Sequence, residues 1–396
     1  MDWKSFAFTY TMGRREPIMH LLIEIEASKR TVERLLLPPP WMEALEQLNR
    51  VRTIHGTTAL EGNPLSESQV EAYLESETDP SAATREVQQI LNAGMAQTWV
   101  RERFQPDQPP LTVADVLHMH ELMTRRSDER DNVPGRLRLH DVRVGTEDLG
   151  GVHRGAPHGE LPRLMDEFTA FVNSGRVQAE HPVIRALLAH FFLVTIHPFG
   201  DGNGRVSRLV EAAILYQGGY NVHGFYGLSN YFYRNGDLYK RLLQECRKQR
   251  PFDVTSFVEF GLHGFDAELK GISGYITSRL NCVLYRDMMT RSLGEKVGKR
   301  RRLLNHREYL LLDFLLQETE PDDPFSSEHP LWAIALSDLE ASPFVRAGYG
   351  KVTRRTFLRE LARLEELGFI FTYNSEDAGE PIIGLDFEAI AIRGSG

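Results

Sequence analysis

At 396 residues the chain exceeds what one ordinary core accommodates, and length alone argues for two or three domains. With 41% hydrophobic and 26% charged residues it has the balance of a packed globular protein, which excludes a disordered or fibrous class. A net charge of -9 disfavours a nucleic-acid footprint over the whole protein, although it leaves room for a locally basic module. The longest apolar stretch, around Phe191 to Phe199, contains His197 and falls short of the ~20 residues that cross a bilayer, so no membrane partner is expected. The start, Met1-Asp2-Trp3-Lys4, lacks an apolar signal region, which argues for the cytoplasm. Cys246 and Cys282 stand in no metal-ligand spacing, so neither a disulfide framework nor a zinc site is expected.

Pro38-Pro39-Pro40 is a stiff break, and beyond it Met42, Leu45, Leu48, Val51 and Ile54 recur at a helical period. They predict a helix over 41–60, stopped by Glu61-Gly62-Asn63-Pro64. Helices are expected next over 84–104 and, after Pro109-Pro110, through Val113, Val116, Leu117 and Met123. Between Pro134 and Pro157 the short alternation of Leu137, Leu139, Val142 and Val144 with many glycines suits a hairpin lid, placed at about 135–158. From Pro182, the apolar stripe of Val183, Leu187, Phe191 and Val194 is widened by Ile184, Leu188, Phe192 and Ile196, which predicts a helix buried on most sides and ended by Pro198. Further helices are predicted over 205–216, 237–249, 254–269 and 272–296. Lys299-Arg300-Arg301-Arg302 reads as a linker. After it come helices over 307–317, 330–339 and 353–367, then strands over 369–373 and 382–385 about a turn at Asp377-Ala378-Gly379. Three helices and a hairpin are the winged-helix order.

The chemistry concentrates in His197-Pro198-Phe199-Gly200-Asp201-Gly202-Asn203-Gly204-Arg205-Val206-Ser207-Arg208. A glycine-rich turn feeding a helix N-terminus exposes backbone N–H groups at the positive end of the dipole, where anions such as phosphates bind. Gly202 and Gly204 let that backbone approach closely. Arg205 and Arg208 sit where the dipole disfavours cations, which an anion bound at the same mouth explains. Asp201 is the hard oxygen ligand that Mg2+ prefers when it bridges phosphates. His197, at the end of a buried helix, is the natural general base for a hydroxyl. Phe199 reads as a core anchor. No P-loop, dinucleotide fingerprint or kinase landmark competes.

This segment resembles the Fic-family signature, His-x-Phe-x-Asp/Glu-Gly-Asn-Gly-Arg-x-x-Arg, at every specified position, and the resemblance extends over roughly 110–265 through Gly135-Arg136-Leu137-Arg138, Leu161-Pro162 and Ala189-His190. It implies a mainly α, Fic-type helical bundle with a β-hairpin flap, and transfer of AMP from ATP to a Ser, Thr or Tyr hydroxyl of a protein. His197 is then the base, Asp201 holds Mg2+, Gly202, Asn203 and Gly204 cradle the α and β phosphates with Arg205, and Arg208 takes the γ phosphate. Tyr239 would line the adenosine pocket or serve as a core tyrosine, and Val152, His153, Arg154, Gly155 and Ala156 occupy the place of the family's lid without its usual prolines. Upstream, Thr57-Thr58-Ala59-Leu60-Glu61-Gly62 resembles the family's inhibitory motif, which implies that Glu61 pairs with Arg208 and restrains the enzyme. The domains follow as an N-terminal helical module over 1–105, with its inhibitory helix at about 41–62, a Fic core over 106–298 and a winged-helix domain over 299–396. The partners implied are ATP and a protein hydroxyl, the chain's own included; a homodimer stays open.

A second reading is a DNA-binding regulator whose core senses nucleotide. It rests on Arg355, Arg359 and Arg363, which share one face of the last helix, with Glu360, Glu365 and Glu366 opposing it.

Overall fold

A computed structural model describes residues 2–13, 15–76, 83–126, 132–220, 227–248, 250–297, 301–320, 325, 332–374 and 379–388. The chain divides into two compact units, residues 1–269 and 270–396. The first holds strand β1 (Tyr10–Thr11), helices α1 (Arg15–Arg34), α2 (Pro39–Ala59), α3 (Glu67–Glu75), α4 (Arg85–Arg103) and α5 (Val113–Thr124), and strands β2 (Arg143–Val144) and β3 (His153–Arg154). It continues with α6 (Leu161–Val172), α7 (Gly175–Gln178), α8 (Pro182–Ile196), α9 (Asn203–Gln217), α10 (Ser229–Arg234), α11 (Gly236–Cys246), β4 (Phe252–Asp253) and the first part of α12 (Thr255–Gly294).

Helix α8 is the centre of this unit. Proline opens it at N1, where a missing N–H costs nothing, and the His181 ring accepts from Val183 N at 3.3 Å. Every residue from Ala186 to Ile196 is buried, as the wide apolar stripe requires. It packs on α6 and α9, and α9 in turn packs on α2, α4 and α5. Phe168, Phe191, Phe192, Phe252 and Phe257 fill the core around it. The N-terminal segment joins this core through Trp3, Phe6 and Tyr10, and β1 pairs in parallel with β4.

Helix α2 ends as its sequence demands. Gly62 takes φ +93°, and buried Asn63 ties the following turn to α4 by donating to Glu86 O at 3.0 Å and Gln89 Oε1 at 2.9 Å. Two features fix α2 on the unit. Gly56 lies so close to α10 that a Cβ there would stand 2.7 Å from the Asn230 backbone, and the buried Arg52 pairs with Glu268 at 3.2 Å. In this unit helices α1, α3, α6, α7 and α10 have no counterpart among the sequence-predicted elements.

Three predicted helices differ. The helices expected over 254–269 and 272–296 are one 40-residue helix, α12. Lys270-Gly271 interrupts the apolar pattern, but one glycine costs only ~1 kcal/mol in a helix and no proline or cap stops it. Residues of α12 up to Leu269 belong to the first unit and those from Lys270 to the second, a division that falls ahead of the basic run at 299–302. The helix expected over 330–339 is instead β7 (Ala333–Ala335) followed by α14 (Leu336–Ala341), because pairing of Ala333 with Gly384 overrides local helix propensity.

The second unit also contains β5 (Lys296–Val297), β6 (Arg301–Arg302), α13 (His306–Glu318), α15 (Pro343–Tyr349), α16 (Arg354–Glu366), β8 (Ile370–Asn374) and β9 (Pro381–Leu385). Strands β7, β9 and β8 form an antiparallel sheet in that order, over a core that includes Leu311, Leu315, Trp332, Leu361 and Leu364. Asp377 and Ala378, expected in the turn before β9, lie outside the described residues, as do Lys299 and Arg300 of the expected linker. Asn305 and Glu308 form a capping box at the start of α13. On α16 the expected basic face is incomplete: Arg355 and Arg359 are exposed, but Arg363 pairs with buried Glu308 and donates to Leu303 O at 2.8 Å. Glu360, one of the three glutamates set against the basic face, is buried and bonds Arg307 and the Tyr349 hydroxyl. Among the described residues no helix is long and apolar enough to cross a membrane.

Candidate active site

The loop between α8 and α9 brings the sequence-predicted groups together. His197 caps α8 in the left-handed conformation (φ 55°, ψ 62°), an uncommon choice for a residue with a side chain. Its Nδ1 lies 3.4 Å from Val194 O. A carbonyl only accepts, so Nδ1 carries the proton and Nε2 keeps its lone pair. Burial, followed by the charge of Arg247, pushes the imidazole down to about 4, and the ring is neutral at physiological pH.

The last carbonyls of α8 have no intrahelical donors, and the rest of the unit supplies them. Arg247 donates Nη2 to Val194 O at 3.1 Å and Nε to Thr195 Oγ1 at 3.0 Å. His153 Nε2 bonds Thr195 O at 2.8 Å, Ala156 N donates to Ile196 O at 3.0 Å, and Arg138 Nε donates to His197 O at 2.8 Å. Cations at a helix C-terminus are favoured by the dipole. These contacts also tie the hairpin of β2 and β3, with Arg143 opposite Arg154, to the end of α8. Of the lid residues, Val152 and Arg154 are exposed, whereas His153 and Ala156 are buried against α8. Gly155 is pressed on His197: a Cβ there would lie 3.3 Å from the histidine Cβ and 2.9 Å from Val142 Cγ2.

Gly202 takes φ +77° at the N-cap of α9, which no side chain caps. The first helical hydrogen bond runs from Val206 N to Gly202 O, so the N–H groups of Asn203, Gly204 and Arg205 have no helical acceptor. The Asn203 side chain is committed to the loop, accepting from Phe199 N and donating to Phe199 O, both at 2.9 Å; what it offers an anion is its backbone N–H. Phe199 is fully buried and stacks on His120 at 3.8 Å.

Both arginines are buried. Arg205 pairs with Asp201, while its Nε and Nη1 are buried without a partner among the described residues. Arg208 reaches Glu61 Oε1 at 2.8 Å, Thr57 Oγ1 at 2.8 Å and Thr57 O at 2.9 Å, and its Nη1 is likewise unpartnered. Burial alone would raise the Glu61 carboxyl, but Arg208, helped by Arg205 and Lys240, holds it below its ordinary value. A Cβ on Gly204 would overlap that carboxylate and crowd Arg208 Nη1 at 3.1 Å, so the Glu61–Arg208 pair requires glycine there. Three buried guanidinium nitrogens without acceptors, beside an uncapped helix N-terminus, make a site short of negative charge.

Asp201 is the nearest candidate for a metal. Its carboxylate is part-exposed at 35%, and no group of three or more His, Cys, Asp or Glu able to hold a metal occurs among the described residues. A lone carboxylate beside an anion loop suits Mg2+, which takes one or two protein carboxylates and completes its shell with phosphates and water. Tyr239 is taken up by the core: its hydroxyl bonds His190 at 2.9 Å, its ring stacks on Phe232, and His190 in turn bonds buried Glu211 at 2.8 Å.

Sequence reasoning missed several supports. His120 accepts from Gly135 N at 3.1 Å through Nδ1, while Nε2 bonds Asn132 Oδ1 at 3.1 Å and Asp201 O at 3.2 Å. It therefore joins the backbone at Asp201 to the turn at Gly135. Burial pushes its ring down to about 4. Arg247 and the Thr57 hydroxyl were also not singled out for any contact.

A model of the Fic/DOC family matches residues 110–215. The chain is 33% identical over 168 residues to the protein of Drosophila ananassae named protein adenylyltransferase Fic, covering 42% of this chain and 32% of that one. The protein of the same name from Aedes aegypti is 32% identical over 171 residues, with 43% and 33% covered. The matches thus span only about a third of those relatives' length. A crystal structure of a Fic family protein from Desulfovibrio desulfuricans G20 has a TM-score of 0.55 at 22% identity, with 96% of this chain and 98% of that chain covered. Fic-1 from C. elegans gives 0.54 at 22%, with 66% and 73% covered. At such identity these two structures speak to the fold. The chain carries a Fic/DOC family domain, and the loop from His197 to Arg208 lies within it.

Proposed function

We propose that the protein transfers AMP from ATP to the hydroxyl of a protein Ser, Thr or Tyr, and that Glu61 restrains this activity by occupying Arg208. The observation that carries the reading is the set of unpartnered guanidinium nitrogens on Arg205 and Arg208 at the uncapped end of α9, a few residues from a neutral histidine. The triphosphate supplies the missing acceptors: N–H groups of 203–205 and Arg205 serve the inner phosphates, and Arg208 serves the γ phosphate. The acceptor hydroxyl gives its proton to His197 Nε2 while its oxygen bonds the α phosphorus. The bond from that phosphorus to the β-phosphate oxygen breaks, and pyrophosphate leaves. Mg2+ entering with the nucleotide would be held by Asp201 and would neutralise phosphate charge. The hairpin would present the acceptor segment to His197.

Autoinhibition follows by competition for the Arg208 guanidinium: the Glu61 carboxylate, bonded to Nη2, would repel a γ phosphate approaching the same group through its unpartnered Nη1. The second unit, as a winged-helix module, would serve docking to protein or DNA. The nucleic-acid reading retains Arg355 and Arg359 and loses Arg363 to its ion pair. With α-labelled ATP, Glu61→Gly should label protein, itself included, more strongly than wild type, and Arg208→Ala should not. Equal labelling by wild type and Glu61→Gly would remove the inhibitory role, and no covalent label from either would remove the transferase.

A further inference from the structure

We infer that the cleft beside the hairpin receives an acidic segment of the acceptor protein, so that hydroxyls flanked by Asp and Glu are the preferred targets; this deepens the transferase reading and rests on it. The cleft has a volume of about 840 Å3 and is bounded by β3 and Gly155, the residues following α11, and the N-terminal segment. Four cations line it, Arg154, Arg247, Lys248 and Arg250, against two carboxylates, Asp2 and Asp141. Both carboxylates are engaged by their own surroundings. Asp2 accepts from Lys4 N at 3.1 Å and Ser5 Oγ at 2.6 Å, and Asp141 bonds the backbone and ring of His158, each at 3.1 Å. A positive cleft thus opens on a chain whose net charge is -9, and it attracts what the rest of the surface repels.

Its position ties it to the chemistry. Gly155 forms part of the cleft wall and rests on His197, and Arg247, which also lines the cleft, shares Val194 O with the histidine ring. A polypeptide with a hydroxyl at His197 advances ~3.4 Å per extended residue, so its neighbours two or three positions away reach the cleft. The cations do not converge as a small-anion site would require. Arg247 spends its nitrogens on Val194 O, Thr195 Oγ1 and Gln244 Oε1, while Arg250 donates to Arg247 O and lies over the Phe252 ring at 3.6 Å. They offer charge around a space large enough for several side chains, and Lys248 and Arg154 remain solvent-exposed, the latter only 3.7 Å from Asp141 in a weak pair. Diffuse charge of this kind sets partner choice and association rate, and salt weakens it.

Three fluorescent peptides decide the matter, each with one Ser, one Thr and one Tyr and flanked by Asp/Glu, by Ala/Gln or by Lys/Arg. In anisotropy titrations with the full chain, the acidic peptide should bind at least about tenfold tighter than the neutral one at about 50 mM salt, and the gap should shrink at about 500 mM. Lys248→Glu combined with Arg154→Glu should abolish the preference at an unchanged melting temperature. Equal binding of the acidic and neutral peptides, or a preference that survives the charge reversal, overturns the inference. Transfer from α-labelled ATP by Glu61→Gly should follow the same order of peptides. If the acidic peptide binds through these residues yet no protein or peptide is ever labelled, the transferase reading fails alone; if labelling proceeds with no preference for the acidic peptide, the inference fails alone.

Discussion

Each compact unit holds an arginine–carboxylate pair, and the two pairs bury opposite partners. In Arg208–Glu61 the arginine side chain is 2% exposed and the glutamate 38%; in Arg363–Glu308 the glutamate is 1% exposed and the arginine 34%. A buried carboxylate has few sites to fill, and the protein fills them: Glu308 accepts from Asn305 N and from Arg363. A buried guanidinium has five donors, and Thr57 and Glu61 together leave Nη1 of Arg208 without an acceptor. The second pair is closed. The first leaves a buried cation short of acceptors with its counter-ion at the surface, where another anion can replace it. Which partner is buried, more than the distance between them, separates a filled pair from one that leaves room for another anion.

The comparison can be broken most severely at His197. In a Glu61→Gly background, His197→Ala should lower labelling by about 10³-fold, within the usual range for a lost general base, while nucleotide affinity by calorimetry changes less than about threefold. A parallel loss of affinity would mean that the buried arginines are not the anchor. Next in size, Glu308→Gln should cost about 2 to 3 kcal/mol in urea unfolding, because Arg363 and the α13 cap lose their carboxylate, with labelling unchanged. Glu61→Gly should do the reverse. Its carboxylate is too exposed for a full buried-pair penalty, so about 2 kcal/mol of release, or about thirtyfold in labelling, is expected with little change in stability.

Acidification gives a smaller effect. The folded Glu61 carboxyl ionises below its ordinary value, so the pair keeps its strength above that value and loses it only as pH falls through the lower one. Wild type should therefore stay restrained between about pH 7 and 5. His197, held down to about 4, keeps its lone pair over the same range, so labelling by Glu61→Gly should be flat from pH 8 to about 5.5 and fall near 4 instead of 6.5. Smallest of all, Arg359→Ala should alter stability by no more than about 0.5 kcal/mol. If α16 binds DNA, the same change should reduce the salt slope of that binding by about one, and an unchanged slope counts against the nucleic-acid reading.

What was legible in the sequence is what is local. The burial of α8 follows from its apolar stripe, and the uncapped start of α9 follows from Gly202 and the absence of a capping side chain. His197, Asp201, Arg205 and Arg208 fall in one segment, so a single loop could reveal them. Glu61 and Arg208 are 147 positions apart, and only a resemblance to a known motif joined them. His120 and Asp201, 81 apart, share no motif, and no periodicity marks the buried histidine as a support for the loop. Tyr239 could be read either way because a tyrosine suits both a nucleotide pocket and a core; the His190 acceptor gives its hydroxyl a buried partner. Helix α12 and strand β7 were misread because a lone glycine is a weak stop and a short apolar run takes its conformation from its pairing partner.

The contact of Gly56 with the Asn230 backbone has a consequence in time. With α2 seated backbone to backbone on α10 and fastened by Arg52 to Glu268, the helix does not swing away without opening its packed interface, an event on the microsecond scale or slower. Glu61 lies just past the end of α2, and withdrawing its carboxylate from Arg208 requires only rotation about its own side-chain bonds, which takes picoseconds to nanoseconds. If Glu61 restrains transfer as proposed, the restraint would relax far faster than any turnover of about 1–10³ per second, and each arriving nucleotide would meet an equilibrium between closed and open carboxylate instead of waiting for a gate.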